Sequence, residues 1–563
     1  MPRYLITSAL PYINGVKHLG NLIGSMLPAD VLARHLRQQG EEVLYICGTD
    51  EHGTPAEIAA FAEGKSPREY CDEQYSIQDG IYKQFRISFD YFGRSSSTTN
   101  HEITQEIFRR LDENGFIEER TVSQIYSIAD QRFLPDRYVV GTCPICGYKD
   151  ARGDQCDSCG SLIDPTQLIE PRSAISGSTD LEVRDSKHLF LRLSVLQERV
   201  RAWVDQHPGW PSTTKGIAYK WLDEGLQDRS ITRDLTWGVP VPKPGFEGKV
   251  FYVWFDAPIA YISMTADWAK RSGDPEAWRT WWKETGEVSY LQFMAKDNVP
   301  FHAVMWPATM LGTGDVWVMA DQIKSFSWLT YEGGKFSTSR GRGIFTDTAL
   351  TLFPSDYWRY ALLAMAPEGT DSDFSLEGFA GLVNKDLADV LGNFVNRVLT
   401  MIGRNFEGKV PEPGRAEDLD CELLAKCREL VTQLDQELRA TNVRKAMRNL
   451  RALWVAGNEY ITQAQPWAAV KTDRERAAEI LRIGLELCYL YAVTSAAIIP
   501  DSSERIFELL GETGKPGEVS FENLVDFARL PAGRAVSAGQ PLFQKIPPEK
   551  VTELTERFRG GSA

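Results

Sequence analysis

Residues 4–46 constrain the architecture of this chain more than any other stretch. Tyr4-Leu5-Ile6-Thr7 reads as a strand, residues 22–36 as a helix that stops at Gly40, and residues 43–46 as a second strand. Such a βαβ unit commits the chain to a parallel sheet with helices on its faces. The turn between the first strand and the helix is Ala9-Leu10-Pro11-Tyr12-Ile13-Asn14-Gly15-Val16-Lys17-His18-Leu19-Gly20-Asn21. Backbone N–H groups at a helix N-terminus attract phosphate, Gly20 leaves room for a nucleotide against the backbone, and His18 can donate to phosphate oxygens. A second polar segment, Lys335-Phe336-Ser337-Thr338-Ser339, lies past the middle of the chain, and the two together point to an ATP-using site.

A chain of 563 residues with 43% hydrophobic content is long enough for three or four domains at roughly 100–200 residues each. Its longest apolar stretch, 487–499, is interrupted by Thr494 and Ser495 and falls short of the ~20 residues that span a bilayer. A cytoplasmic protein with no membrane partner is therefore expected. The net charge of −15 argues against sequence-indifferent nucleic-acid binding, which relies on a broad basic surface, but leaves room for a local basic face.

Alternating patterns divide the chain. Residues 1–118 read as the first half of a nucleotide-binding sheet, with helices at 68–85 and 101–111, the latter preceded by the capping candidates Thr98, Thr99 and Asn100. Residues 119–228 turn shorter in pattern, rich in Gly and Asp, and read as an insertion. The sheet resumes over 229–322, with strands expected at 250–255, 288–294 and 316–320. A connector at 323–383 carries the Lys335–Ser339 segment as a mobile loop. Residues 384–511 form an antiparallel helical bundle, with helices expected at 384–404, 419–439, 443–463 and 474–497. In the tail, 512–563, Phe521, Leu524, Phe527, Leu542 and Phe543 are placed to pack back on the protein. The fold class is α/β: a doubly wound parallel-sheet catalytic domain with a zinc-bearing insertion, followed by an α-helical bundle.

Within the insertion, Cys143-Pro-Ile-Cys146 and Cys156-Asp-Ser-Cys159 have the spacing of two knuckles that hold one tetrahedral zinc. Gly147 and Gly160 supply the turns, and four protein ligands leave no open position, so the zinc should be structural. Ser173-Ala-Ile-Ser176-Gly177 resembles a further knuckle without thiols, which limits the expectation to one ion.

Taken in order, these segments resemble the methionyl-tRNA synthetase family within the class I aminoacyl-tRNA synthetases, whose signatures are His-x-Gly-His and Lys-Met-Ser-Lys-Ser. The match extends through Cys47-Gly-Thr-Asp50-Glu-His52-Gly-Thr-Pro55, Arg233-Asp-Leu-Thr-Trp-Gly-Val-Pro240, Val253-Trp-Phe-Asp-Ala-Pro258-Ile-Ala-Tyr261 and Lys296-Asp297-Asn-Val-Pro-Phe-His302. The resemblance implies activation of L-methionine by Mg·ATP to methionyl-adenylate, then transfer to the 3′ end of initiator and elongator tRNA(Met) by a monomer. It implies catalytic roles for His18, Asn21 and Lys335, and ATP contacts from these with Gly20, Thr338 and Arg340. Asp50 should pair with the substrate ammonium, and Arg233 should brace Asp50 or the carboxylate. Leu10, Tyr12, Trp254, Ala257, Pro258, Tyr261 and His302 should surround the thioether, to which Tyr261 and His302 can donate weakly.

On the bundle, the resemblance assigns anticodon reading to Asn393, Arg397 and Trp467, with Arg444, Arg448 and Arg451 as a further basic stripe. Two positions depart from the signatures: Asn21 replaces the second histidine and Thr338 the second lysine, so Arg340 or Arg342 is expected to restore a cation. Two other readings remain open at this point. A synthetase for leucine, valine or isoleucine would want a larger, hydrolytic insertion; a tRNA-binding scaffold without chemistry would show decayed nucleotide motifs.

Overall fold

The computed structural model describes residues 3–156, 158, 159, 161–337 and 341–560. Strand β1 (Arg3–Ser8) is buried from Leu5 onward, as an interior strand of a two-faced parallel sheet must be. β2 (Glu42–Thr49) and β3 (Tyr91–Arg94) follow on one side of it. β4 (Ile117–Ser127) and β5 (Leu181–Leu191) leave the sheet and pair antiparallel with each other along their whole lengths, a ribbon that carries the cysteine knuckles. β6 (Val288–Ala295) and β7 (Gln322–Phe326) return on the other side of β1, giving the order β7-β6-β1-β2-β3 with every neighbour parallel. Connections from β1 and β6 therefore diverge, and the ends of these strands border the crevice where open α/β sheets bind ligands.

Both helices that leave this crevice begin irregularly. After a short turn at Leu19–Asn21, a π-helical turn at Leu22–Met26 precedes α1 (Leu27–Gln38). A matching π-helical turn at Phe301–Met305 precedes the helix Trp306–Gly312. Such wide turns concentrate at functional sites because they displace side chains from the regular helical ladder. α2 (Pro67–Gln84) and α3 (Thr98–Glu113) cover the sheet, and the cap of α3 is Ser97, whose hydroxyl accepts from Asn100 N–H, rather than Thr98, Thr99 or Asn100.

Two expected strands are corrected. Residues 316–320 form no strand; Val318 N–H instead bonds Trp282 O at 2.9 Å, so the run covers the tryptophan. The edge place belongs to β7, which sequence pattern hides because Lys324 is buried within it, neutralised by Glu368 at 2.8 Å. Of residues 250–255, only Val250–Phe251 is extended, and it pairs antiparallel with Thr232–Arg233 outside the main sheet. From Val253 the chain turns into a short helix, Val253–Asp256, because Asp256 is drawn inward to bond His52 and Asn100.

The C-terminal helices are α4 (Asn393–Asn405), α5 (Asp418–Arg439), α6 (Val443–Ala464), α7 (Pro466–Thr472) and α8 (Arg474–Ser495). A π-helical stretch, Val383–Gly392, leads into α4. The bundle is fastened to the catalytic half by buried polar groups. His35 on α1 bonds Asp435 on α5 at 2.8 Å. The fully buried Arg359 donates to Asp30 on α1 and to the carbonyls of Phe85, Ala497 and Ile498. In the tail Leu524 and Phe543 enter the same core, and Gln38 bonds Pro516 O. Among the described residues no helix is long and apolar enough to cross a membrane.

Candidate active site

The ends of β1 and β2 are laced together: Asp50 N–H donates to Pro11 O, and Ile13 N–H donates to Asp50 O, each at 2.9 Å. Tyr12 and Asp50 thus stand side by side at the crevice. Across from them Tyr12 meets Trp254 edge-on, with ring centroids 6.0 Å apart, and Trp254 stacks on Phe301 at 3.7 Å. Ala257 and Pro258 are buried on the turn after Trp254, while Leu10 is half-buried.

Tyr261 and His302 are bonded to each other before any ligand arrives. The Tyr261 hydroxyl lies 3.1 Å from His302 Nε2 and 3.2 Å from Ser8 O, and His302 Nδ1 lies 3.0 Å from Asn298 O. Burial pushes the imidazole down to about 4, so it is neutral near pH 7. A carbonyl can only accept, so the proton belongs on Nδ1, and Nε2 and Ser8 O are both acceptors for the one Tyr261 hydroxyl proton. In this arrangement neither group keeps a free proton for a thioether.

Asp50 stands apart from this bonded pair. It is buried, and its Oδ1 has no hydrogen-bond partner among the described residues. Burial, reinforced by Asp256 and Glu51, pushes its carboxyl well above the ordinary range, with Lys17 pulling the other way. Arg233 lies over the Tyr252 ring at 3.9 Å and donates to Thr232 O at 2.9 Å. Behind the pocket, His52 Nδ1 and Asp256 Oδ2 are 2.8 Å apart, which ties the segment carrying Asp50 to the turn carrying Trp254. Sequence reasoning passed over this pair, although each member lies two residues from a residue it singled out.

The nucleotide edge is built differently. The His18 backbone N–H donates to Asn21 Oδ1 at 3.2 Å, which leaves the exposed Asn21 its amide donors. A Cβ on Gly20 would sit 2.9 Å from the His18 ring, so the space that glycine leaves is taken by the imidazole itself rather than standing open for a nucleotide. Burial, aided by Lys17, lowers His18 to about 4, so it offers a single N–H as donor near pH 7. Lys17, coupled to both Asp50 and His18, is a cation that sequence reasoning missed.

Lys335 Nζ lies 5.8 Å from the centroid of the exposed Trp328 ring. Phe336 is a further departure from Lys-Met-Ser-Lys-Ser and stacks on His18. Arg342 donates to Tyr331 O and Glu332 O at 3.0 and 2.8 Å, so its guanidinium braces its own loop instead of facing the crevice as a spare cation. Thr338 and Arg340 lie outside the described residues.

On the ribbon, the Sγ atoms of Cys143, Cys146, Cys156 and Cys159 lie within 4.8 Å of one another, with Cys143–Cys159 at 3.9 Å and Cys146–Cys156 at 3.7 Å. A tetrahedron with zinc–sulfur bonds of ~2.3 Å has edges of about 3.8 Å. These four thiols could therefore hold one metal ion. Gly147, at φ 75°, closes the first knuckle; Gly160 lies outside the described residues. Ser173–Gly177 repeats that turn, with Gly177 at φ 71°. In place of thiols, Ser173 and Ser127 hydroxyls donate to Asp130 Oδ2 at 2.6 and 2.7 Å, a closed polar network.

On the bundle, Asn393 and Arg397 sit one turn apart on α4, and the Arg397 guanidinium lies 5.6 Å from the Trp467 ring centroid. Trp467 is 43% exposed, enough surface for a base to stack on. Of the basic stripe, Arg451 is paired with the buried Asp386 at 2.6 Å, while Arg444 and Arg448 are exposed.

Comparison with known proteins agrees with this geometry. The family model described as tRNA synthetases class I (M) matches residues 4–399, and that of the anticodon binding domain of methionyl tRNA ligase matches residues 410–563. A methionine–tRNA ligase of Acaryochloris marina is 55% identical over 99% of this chain and 100% of its own length. One from Cereibacter sphaeroides is 54% identical over the whole of both chains. The structure of Mycobacterium tuberculosis methionyl-tRNA synthetase with methionyl-adenylate superposes with a TM-score of 0.78 at 27% identity, covering 96% of this chain and 100% of that one. The chain belongs to the methionine–tRNA ligase family of class I tRNA synthetases.

Proposed function

We propose that the protein activates L-methionine with ATP and transfers it to tRNA(Met), initiator and elongator alike, acting as a monomer in the cytoplasm. The observation that carries this reading is Asp50: a buried carboxylate oxygen with no partner, at the switch point of the sheet, beside an aromatic-walled pocket. An α-ammonium supplies the missing charge. Leu10, Tyr12, Trp254, Ala257, Pro258, Tyr261 and His302 enclose the side chain, and Arg233 acts at the carboxylate end.

The methionine carboxylate oxygen then attacks the α-phosphorus of ATP and pyrophosphate leaves. His18, Gly20 and Asn21 receive the phosphates, with one imidazole N–H and the Asn21 amide as donors, and Lys335 supplies a cation. Thr338 contributes a hydroxyl or backbone contact, and Arg340 a second cation. Mg²⁺ entering with ATP would offset charge on the leaving pyrophosphate. In the second step a 3′-terminal ribose hydroxyl attacks the acyl carbon and AMP leaves. Asn393, Arg397 and Trp467 read the anticodon.

Methionine-dependent ATP–pyrophosphate exchange, followed by charging of tRNA(Met) transcripts, tests the reading. Exchange supported by leucine, valine or isoleucine in preference to methionine would overturn it. So would tRNA binding with no exchange. The cysteine cluster is assigned one structural zinc: metal analysis should return about one zinc per chain, and Cys156→Ser should lose the metal and destabilise the ribbon tip.

A further inference from the structure

Among the described residues the buried Nδ1 of His18 has no hydrogen-bond partner, whereas the orientation and tautomer of a working histidine are usually set by a bond at the nitrogen that does not react. Packing takes that place. Phe336 lies flat on the imidazole, with centroids 4.4 Å apart and planes within 5°, and Phe345 meets its edge at 6.2 Å and 82°. Gly20 backs the ring, since any Cβ there would stand 2.9 Å from it.

Phe336 is itself slotted. Gly343, at φ 96°, has no Cβ, and one placed there would lie 2.3 Å from the Phe336 ring. Tyr331 packs against Phe336 at 5.5 Å. Backbone bonds between Ser337 and Arg342, at 3.0 and 2.9 Å, hold the two sides of the loop together around it.

We infer that Phe336 is a positioning residue for His18: its ring sets the tilt of the imidazole and ties it to the segment that carries Lys335. The inference rests on the proposed reading of His18 as a donor to the phosphates of ATP. Because Lys335 is the next residue, one rigid contact brings the histidine and the lysine into register on the same nucleotide. The stack also keeps water from one face of His18, which helps keep the imidazole neutral. Among the described residues, the titratable and charged groups on the elements around it are Lys17 on its own segment, Tyr331 and Glu332 on the neighbouring strand and turn, Lys335 and Arg342 on the loop, and Asp347 on the helix after Phe345.

Seven histidines make ring-labelled NMR tractable. His18→Gln assigns the His18 signal, which the stacked ring should shift upfield in the full chain. In Phe336→Leu that signal should return toward an ordinary position, and its titration midpoint should rise from about 4 toward the usual histidine range. Exchange by Phe336→Leu should lose roughly ten- to hundredfold in kcat, as a misplaced group does, with the KM for methionine unchanged and the acid limb of the pH profile moved upward. Phe336→Tyr should restore all of these. An unmoved His18 signal and titration in Phe336→Leu, or a kcat loss with no shift of the acid limb, overturns the inference. Full exchange activity in His18→Gln would instead remove the reading of His18, while the NMR shifts would still decide whether the contact orients the ring.

Discussion

The two halves of the candidate site are built on opposite plans. The amino-acid side is closed before substrate enters: Tyr261 and His302 lie within bonding distance of each other and of the Ser8 and Asn298 carbonyls, Trp254 is clamped on Phe301, and Asp50 Oδ1 has no partner among the described residues. The nucleotide side is assembled from separate segments, with His18 packed between Phe336 and Phe345 and its Nδ1 without a partner among the described residues. A pocket of the first kind selects by shape and by the one charge it lacks. An edge of the second kind adapts to a charged, flexible triphosphate. Changes on the first side should therefore move methionine affinity, and changes on the second should move turnover.

Asp50→Ala gives the sharpest test of that contrast. Removing one partner of a buried charge pair costs about 2–5 kcal/mol, so the KM for methionine should rise roughly thirty- to several-thousandfold while the KM for ATP stays near its original value. Equal effects on both substrates would mean that the two sides are not separate. Lys335→Ala should do the reverse: a drop of about a hundred- to a thousandfold in kcat for exchange, with methionine binding by calorimetry unchanged.

Smaller effects follow within the pocket. Tyr261→Phe deletes the hydroxyl proton that His302 Nε2 and Ser8 O share, a neutral bond worth about 0.5–1.5 kcal/mol, so methionine should bind roughly two- to tenfold more weakly. If Tyr261 served the thioether directly, affinity for norleucine, which lacks the sulfur, would be untouched; the bonding to His302 predicts that norleucine weakens as well.

The smallest effect is in pH. Asp50 is protonated over a range in which an ordinary carboxylate is already charged, and it must ionise to hold an ammonium. Methionine binding should release a proton and should tighten with rising pH, by at most tenfold per unit, over a window whose upper end, set by the raised Asp50 carboxyl of the free protein, lies above the usual carboxylate range. Calorimetry in buffers of different ionisation enthalpy measures this, and Asp50→Asn should flatten it.

Much of this layout was legible as pattern. The strand at Tyr4–Thr7, the glycine stop and the second strand foretold the parallel sheet, because a buried two-faced strand must be apolar in sequence. The paired cysteines foretold a cluster because thiolate knuckles need a fixed spacing. Other features left no pattern. β7 carries a buried lysine that is tolerated only because Glu368, far along the chain, neutralises it. Residues 316–320 look like a strand and are not one, since Val318 N–H bonds Trp282 O instead of a neighbouring strand.

Local sequence, then, determined most of the strands and helices, which residues carry charge, sulfur or aromatic rings, and that a turn into a helix follows β1. Tertiary structure alone decided what each group has left to offer. His302 has its ring nitrogens engaged because Tyr261 and Asn298 are within bonding distance, Arg342 braces its own loop because Tyr331 and Glu332 carbonyls face it, and Asp50 keeps an oxygen that no donor among the described residues reaches. Hydrogen bonding and desolvation depend on distances of a few ångströms between residues far apart in the chain, and only the folded arrangement sets those distances.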